Sequence, residues 1–276
     1  NAVMFVSSEK IKVQNDSILN PGQNYNFLGH INGLYISDVN DFIFKDNYVR
    51  NAGRSFSIQI VGTNDSIFIK RNHLETFSTD TYGAHVDGVV GYLEIDSNVI
   101  SNYNYSGLYL RPRVGNEWRV RGNTVENIVE NSIISLQGSA ISTSAVSNNG
   151  GVGALVYINE NTLKGGKNGI SINDSEGTIT TKDISRNKLL GQIGGIGITV
   201  SGTNSLVANN YIQMDGVGVA KGISLETDGS GSDVVFNSVN ITGTDVVNGQ
   251  GITVNGGTNY RVKNNIFANN GGGYAA

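Results

Sequence analysis

The sequence predicts an all-β protein that folds as a single-stranded parallel β-helix of about nine to ten turns. One unit recurs nine times along the 276 residues: an apolar residue, an Asn three positions later and a second apolar residue two positions after the Asn. The Asn residues are spaced by 25, 26, 25, 38, 26, 23, 27 and 28 residues, and a period in the twenties is typical of solenoids. The apolar positions hold mainly Ile, Val and Phe and alternate with a period of two, which favours strands.

The Asn of each unit is predicted to be structural. The nine residues are Asn47, Asn72, Asn98, Asn123, Asn161, Asn187, Asn210, Asn237 and Asn265. In stacked turns, a buried Asn can form hydrogen bonds with neighbouring backbone and with the equivalent Asn of the next turn. We therefore expect an asparagine ladder that stabilises the turns and carries no information about activity.

A second element follows each Asn and reads Gly, two further residues and an apolar residue. Clear copies begin at Gly33, Gly83, Gly107, Gly169, Gly195, Gly222 and Gly251, and looser copies cover residues 57–60 and 132–134. Each turn therefore contains at least two short strands, and a third fits in the remaining residues. A leucine-rich repeat is disfavoured, because the chain lacks fixed Leu positions and any sustained helical period. Trp118 occupies an alternating apolar position and is predicted to pack in the core.

Residues 1–32 are predicted to form an irregular first coil or an N-terminal edge, and residues 33–276 the β-helix. The 38-residue interval between Asn123 and Asn161 is the longest of the eight. We assign its surplus to an insertion loop near residues 138–153, after a strand expected at 133–136. The chain begins with Asn and shows no evident capping helix. We therefore expect it to be part of a larger protein with other domains.

Composition excludes several classes of function. Charged residues make up 15% of the chain, the net charge is −4 and no basic stripe is present, so nucleic acid is not an expected partner. There is no cysteine, and no apolar run approaches the ~20 residues that cross a bilayer. The three His residues lack zinc-site spacing, so the sequence predicts no metal site and no cofactor. Calcium at a turn is compatible with the sequence, but nothing indicates it.

With this repeat pattern over about residues 33–270, the chain resembles the right-handed parallel β-helix proteins of the pectate-lyase-like superfamily. The resemblance implies a right-handed coil, in agreement with the general preference for right-handed crossovers. It also implies a secreted or cell-surface protein that holds a polysaccharide against outward side chains of one strand face. The repeat positions are structural, so the resemblance is specific for the fold and not for an activity.

The chemically richest outward positions lie in the N-terminal half. His85 and Asp87 are two residues apart and share one strand face, and Tyr109 and Arg111 repeat this offset one turn later. In register, His85 would lie beside Tyr109, and Asp87 beside Arg111. An Arg can bind a sugar carboxylate, a Tyr ring can pack against a pyranose, and a His or Tyr can transfer a proton. The predicted substrate-binding residues are Tyr35, His85, Asp87, Tyr109, Arg111 and Arg113.

Three functions from different classes remain open. The first is recognition of a polysaccharide, for which an anionic one is a candidate. The second is a uronic-acid polysaccharide lyase or C5-epimerase, with His85 or Tyr109 as acid or base and Arg111 neutralising the carboxylate. The third is a structural stalk or adhesin segment. We rank recognition first, because the chain lacks the Asp-Pro-His-Glu stretch of the epimerases, the paired Asp and Gly-His-Gly of polygalacturonases and the clustered acids of pectate lyases.

Overall fold

The computed structural model describes residues 3–20, 32–51, 55–76, 81–103, 105–113, 115–127, 139–144, 153–174, 179–226, 230–243 and 247–275. These residues form 24 strands and no helix, and the strands pair in parallel. Within these ranges there is accordingly no helix able to cross a membrane. The architecture is a parallel β-helix and confirms the fold class that the sequence predicts.

The strands are, in chain order, β1 (Val3–Gln14), β2 (Ser17–Asn20), β3 (Leu34–Lys45), β4 (Tyr48–Asn51), β5 (Ser55–Lys70), β6 (His73–Thr76), β7 (Thr81–Asp96), β8 (Val99–Ser101), β9 (Ser106–Leu110), β10 (Glu117–Arg121), β11 (Thr124–Asn127), β12 (Ser139–Ser144), β13 (Ala154–Asn159), β14 (Thr162–Gly165), β15 (Asn168–Asn173), β16 (Ile179–Ser185), β17 (Lys188–Val200), β18 (Ser205–Ala208), β19 (Tyr211–Leu225), β20 (Asp233–Val235), β21 (Ser238–Ile241), β22 (Gln250–Val254), β23 (Arg261–Lys263) and β24 (Ile266–Asn269).

The strands stack into three faces. Face A consists of the first parts of β1, β3, β5 and β7, then β9, β12 and β15, the last parts of β17 and β19, and β22. Face B, which precedes the ladder, consists of the last parts of β1, β3, β5 and β7, then β10, β13, β16, β18, β20 and β23. Face C, which follows the ladder, consists of β2, β4, β6, β8, β11, β14, the first parts of β17 and β19, β21 and β24.

The number of turns is slightly lower than predicted. The structure has about seven turns, against the nine to ten expected from the repeats. The strands at either end belong to less covered levels, where apolar residues such as Ile11 and Ile252 are only partly buried. The repeats at the two ends therefore lie at levels whose interior is incompletely covered.

The core runs along the axis between the three faces. In the first eight units, both apolar residues that flank the Asn are buried, whereas Val262 of the ninth unit is 42% exposed. Trp118 is fully buried as predicted, and its Nε1–H donates to the carbonyl oxygen of Val90 at 3.0 Å. The alternating pattern therefore identifies the inward side chains correctly in the body of the helix.

The nine Asn residues form the predicted ladder. In each of the first eight, the backbone N–H and the side-chain Nδ2 both donate to Oδ1 of the next Asn at 2.8–3.0 Å. Each Nδ2 also donates to a Face B carbonyl oxygen of the previous turn, as in the 2.9 Å bond from Asn123 to Ile95. The rungs from Asn47 to Asn237 are at most 4% exposed, so these bonds satisfy amides that are costly to leave unpaired.

The glycine of the second repeated element lies where Face A approaches Face C. A Cβ on Gly107 would lie 2.3 Å from Cγ1 of Val125 and 2.7 Å from the carbonyl oxygen of Ala140. At Gly83 the corresponding distance to Cγ2 of Ile100 is also 2.3 Å. Gly recurs here because the backbone passes too close to the apolar residue that follows the ladder Asn.

Substitution of Gly107 by Ala is expected to destabilise the protein by about 1–3 kcal/mol, because overpacking a dense core forces neighbouring groups to shift. The free energy of unfolding is measured by urea denaturation followed by circular dichroism. Ser142→Ala, at a half-buried outward position of the next turn, is the control and is expected to change it by less than about 0.5 kcal/mol. Equal losses for the two variants would contradict the steric explanation.

The layout differs from the prediction around the long interval. Ser139–Ser144, the first part of the predicted insertion, is strand β12 and pairs with β9 and β15 in Face A. A parallel register that aligns Ile141 with Leu108 buries this segment as a regular core strand. Residues 145–152, the strand expected at 133–136 and the looser copy at 132–134 lie outside the described residues.

Two further segments can be compared with the prediction. Strands β1 and β2 continue the three faces regularly, so they form an N-terminal edge, while residues 21–31 lie outside the described ranges. The copy of the glycine pattern placed at Gly195 begins at Gly197 instead, because Thr199 pairs with Ser171 and with Ser224. The proposed membership of a larger protein stays a prediction.

Candidate functional site

The predicted site lies on Face A, where one outward position repeats in every turn. Backbone pairing aligns these positions level by level as Tyr35, Gln59, His85, Tyr109, Ser142, Ser171, Thr199, Ser224 and Thr253. Large aromatic side chains are confined to the N-terminal half of this row of outward positions, and small hydroxyl side chains occupy the rest. The chemistry of Face A is therefore concentrated around His85 and Tyr109.

Four rings form an aromatic cluster, defined here as Tyr82, His85, Tyr105 and Tyr109. The rings of His85 and Tyr109 stack with centroids 5.1 Å apart and planes inclined by 23°. A second stack joins Tyr82 and Tyr105, with centroids 5.6 Å apart and planes inclined by 17°. The two stacks touch, since the centroid of Tyr82 is 5.5 Å from that of Tyr109 and 5.9 Å from that of His85. Such contacts stabilise the four rings as one cluster.

An ionic cluster, defined as Asp87, Arg111 and Arg113, lies next to the rings. The carboxylate of Asp87 accepts from Nη1 of Arg111 at 2.5 Å and from Nη2 of Arg113 at 3.3 Å. The Arg111 backbone N–H donates to the carbonyl oxygen of Val86 at 2.9 Å, which holds Arg111 at the level above Asp87. Two guanidinium groups share one carboxylate, so the cluster carries one excess positive charge.

The two guanidinium groups are partly buried and only partly satisfied. Their side chains are 33% and 25% exposed. The Nε atoms of Arg111 and Arg113 are buried and have no hydrogen-bond partner among the described residues. A ligand carboxylate could bind N–H donors on the exposed parts of these groups, which Asp87 already orients.

The surface changes abruptly one turn beyond Tyr109. The next outward position in Face A is Ser142, whose side chain is too small to cover a Tyr ring. Tyr105, in the adjacent stack, is 44% exposed. The row of large outward rings on Face A therefore ends at Tyr109, and Arg111 and Arg113 follow it closely in the sequence.

His85 has a different environment from the one expected of a proton carrier. Both of its ring nitrogens are almost completely shielded from solvent. The imidazole is stacked on Tyr109 and contacts Tyr82. This placement lets His85 support the Tyr109 ring, and its role as an acid or base stays a prediction.

The structure brings together five of the six predicted binding residues. Tyr35 lies apart: Gln59 occupies the level between Tyr35 and His85, and its Oε1 accepts from Nδ2 of Asn32 at 2.6 Å. Neighbouring levels are separated by about 4.8 Å, so Tyr35 would contact a ligand only if that ligand extended along the axis.

Tyr82 and Tyr105 are the functional candidates that the sequence reasoning missed. Tyr82 precedes Gly83 by one residue, and Tyr105 precedes Gly107 by two. Because their offsets differ, the repeat does not align them. The high local density of Tyr and His between residues 82 and 109 was the available signal.

Comparison with protein-family models, with curated proteins and with solved structures found no match for this chain. The relation to the pectate-lyase-like superfamily therefore stays a resemblance. Within the described ranges, no group of three or more His, Cys, Asp or Glu side chains is placed to hold a metal ion. The site presents a cluster of stacked and tilted aromatic rings near two guanidinium groups that share one carboxylate.

Proposed function

We propose that this protein recognises an anionic polysaccharide on Face A, as a secreted or cell-surface module. The observation that carries the proposal is that Tyr109, the last large ring of the row on Face A, lies two residues before Arg111, which shares the carboxylate of Asp87 with Arg113. A pyranose can pack on such a ring, and its carboxylate can bind the guanidinium donors. Preorganisation by Asp87 and by ring stacking lowers the entropy lost on binding.

Removing the ring and one cation is expected to weaken binding strongly. The wild-type chain is titrated with an octamer of galacturonate in a calorimeter, and Tyr109→Ala/Arg111→Gln is titrated in parallel. We expect the affinity to fall by about tenfold or more, because each lost contact of this kind is worth about 1–2 kcal/mol. Arg113 still pairs with Asp87 in the variant, so the carboxylate is not left alone.

Tyr211→Ala is the matched control for this experiment. Tyr211 is 41% exposed and lies on Face C, away from the proposed site. Binding that survives the double substitution, or that falls equally in the control, would contradict recognition on Face A. The neutral galactose octamer tests whether the carboxylates contribute.

A lyase or epimerase is the second candidate, and Tyr109 beside Arg111 is the observation in its favour. On this hypothesis Tyr109 would transfer the proton and Arg111 would neutralise the carboxylate, since the nitrogens of His85 are buried. Release of unsaturated products absorbing in the ultraviolet would support a lyase. Silence on galacturonate, mannuronate and guluronate polymers would exclude a lyase acting on them and leave binding.

A further inference from the structure

A second polar groove lies on Face B, at the corner between the turns that contain β10, β13 and β16. It is lined by Arg119, Arg121, Tyr157, Asn159, Glu160 and Arg186 and has a volume of about 270 Å³. We call this surface the basic groove. It belongs to a different strand stack from the aromatic and ionic clusters and has no part in the function proposed above.

Three Arg and one Glu line the basic groove. Arg119 pairs with Glu117, Arg121 with Glu94 and Asp96, and Arg186 with Glu160. The arginines therefore contribute guanidinium donors that suit an acidic group, not an excess of positive charge.

Each guanidinium group is oriented by an acid that uses only part of its hydrogen-bonding capacity. Nη2 of Arg121 lies 2.8 Å from Oε1 of Glu94, and Nε of Arg186 lies 2.9 Å from Oε1 of Glu160. A guanidinium group has five N–H donors, so each retains others for a ligand. The side chains of Arg121 and Arg186 are 51% and 54% exposed, and a ligand can reach them.

The groove also contains groups that a simple inorganic anion would not use. Nδ2 of Asn159 donates to Oγ of Ser185 at 3.0 Å, which leaves its Oδ1 as an acceptor. This Oδ1 is buried and has no hydrogen-bond partner among the described residues. The ring of Tyr157 lines one side of the groove. The guanidinium carbon of Arg119 lies 5.5 Å from the centroid of this ring, in a cation–π contact. An aromatic ring beside guanidinium donors suits a ligand that combines a sugar ring with an acidic group.

We propose that the basic groove binds one anionic sugar unit. The carboxylate of the sugar would bind the guanidinium donors, and the sugar ring would pack against the ring of Tyr157. The volume of about 270 Å³ is at the lower limit of ligand sites, which fits one sugar residue better than several. The protein would then contact an acidic glycan on two faces.

The test uses a chain that already carries Tyr109→Ala and Arg111→Gln, so that Face A does not contribute. This chain is titrated with digalacturonate, with the neutral disaccharide lactose and with acetate. Arg119→Gln and Arg186→Gln are then added together. Arg121 is left unchanged, because it pairs with Glu94, whose side chain is only 8% exposed. Melting temperatures of all variants confirm that they are folded.

Arg71→Gln is the matched control in the same background. Arg71 and Arg186 both precede a ladder Asn, have φ values of 52° and 58°, and pair through Nε with an acid of the previous turn. Their side chains are 52% and 54% exposed. The difference that matters for the test is that Arg186 lines the basic groove and Arg71 does not.

We expect saturable binding of digalacturonate, a loss of at least about tenfold in the groove variant and no change in the Arg71→Gln control. Lactose should bind far more weakly. Absence of saturable binding, equal losses in both variants or acetate binding as tight as digalacturonate would each overturn the inference. Both substitutions on Face A are already present in the background chain. If Face A proved not to bind the polysaccharide, the outcome of this test of the basic groove would therefore be the same.

Discussion

Replacement of Asn123 by alanine is expected to lower the free energy of unfolding by about 3–5 kcal/mol, since several buried groups lose their partners together. Oδ1 of Asn123 accepts from the backbone N–H and from Nδ2 of Asn98, both at 2.9 Å. Its Nδ2 donates to Ile95 and to Asn161. The rung is fully buried, so water cannot replace these bonds. Urea denaturation followed by circular dichroism gives the change.

Asn265→Ala is the graded control for this prediction. Asn265 accepts from Asn237 and donates to Val234, but it lies at a half-buried level near the end of the described chain. Water can reach the groups left unpaired, so the loss should be clearly smaller than at Asn123. An equal loss in the free energy of unfolding for Asn123→Ala and Asn265→Ala would contradict stabilisation of the ladder by buried hydrogen bonds.

The second large effect is expected at Lys182, which forms a completely buried ion pair. Its Nζ lies 2.8 Å from Oδ2 of Asp174, and both side chains are 0% exposed. Nζ also donates to the carbonyl oxygens of Ile179 and Thr203 at 2.8 and 2.7 Å, so all three ammonium protons have acceptors. Lys182→Met leaves the carboxylate buried without its cation and is expected to cost about 3–5 kcal/mol.

A double substitution separates loss of charge compensation from loss of packing. Lys182→Met with Asp174→Asn removes both charges and keeps an acceptor for the Ile179 N–H, which Asp174 now binds at 3.1 Å. We expect the double variant to be more stable than Lys182→Met alone. Arg261→Met, in a half-exposed pair with Asp233, should cost less than about 1 kcal/mol. A double variant no better than the single one would mean that the lost hydrogen bonds dominate.

The fold could be predicted because each turn is marked at two places. The ladder Asn and its flanking apolar residues define where Face B ends and Face C begins, and the glycine element defines Face A. Two markers per turn are enough to place His85 beside Tyr109, and their backbones do pair. The same markers put Asp87 next to Arg111, which the ion pair bears out.

The errors arose where the pattern is ambiguous. In Gly195-Ile-Gly-Ile, a shift of two residues keeps every side chain on the same side of the strand, so alternation cannot distinguish Gly195 from Gly197.

The buried Lys182 was not predicted for another reason. It occupies the inward position that Val156 and Trp118 occupy in earlier turns. A charged residue at a core position was the signal, and its partner Asp174 directly follows β15 of Face A.

The ladder also has a direction. Each rung donates toward the C-terminal neighbour and accepts from the N-terminal one, so the side-chain amide dipoles point the same way along the axis. Aligned dipoles in a low-dielectric interior polarise one another. Loss of one Asn therefore affects its two neighbours differently. The preceding Asn loses the oxygen that accepted from its backbone N–H and its Nδ2. The following Asn loses the two donors that bonded to its Oδ1. The ladder therefore gives the β-helix a direction along its axis. Its N-terminal end presents an Asn oxygen as acceptor, whereas its C-terminal end presents Asn donors, even where the turns are alike.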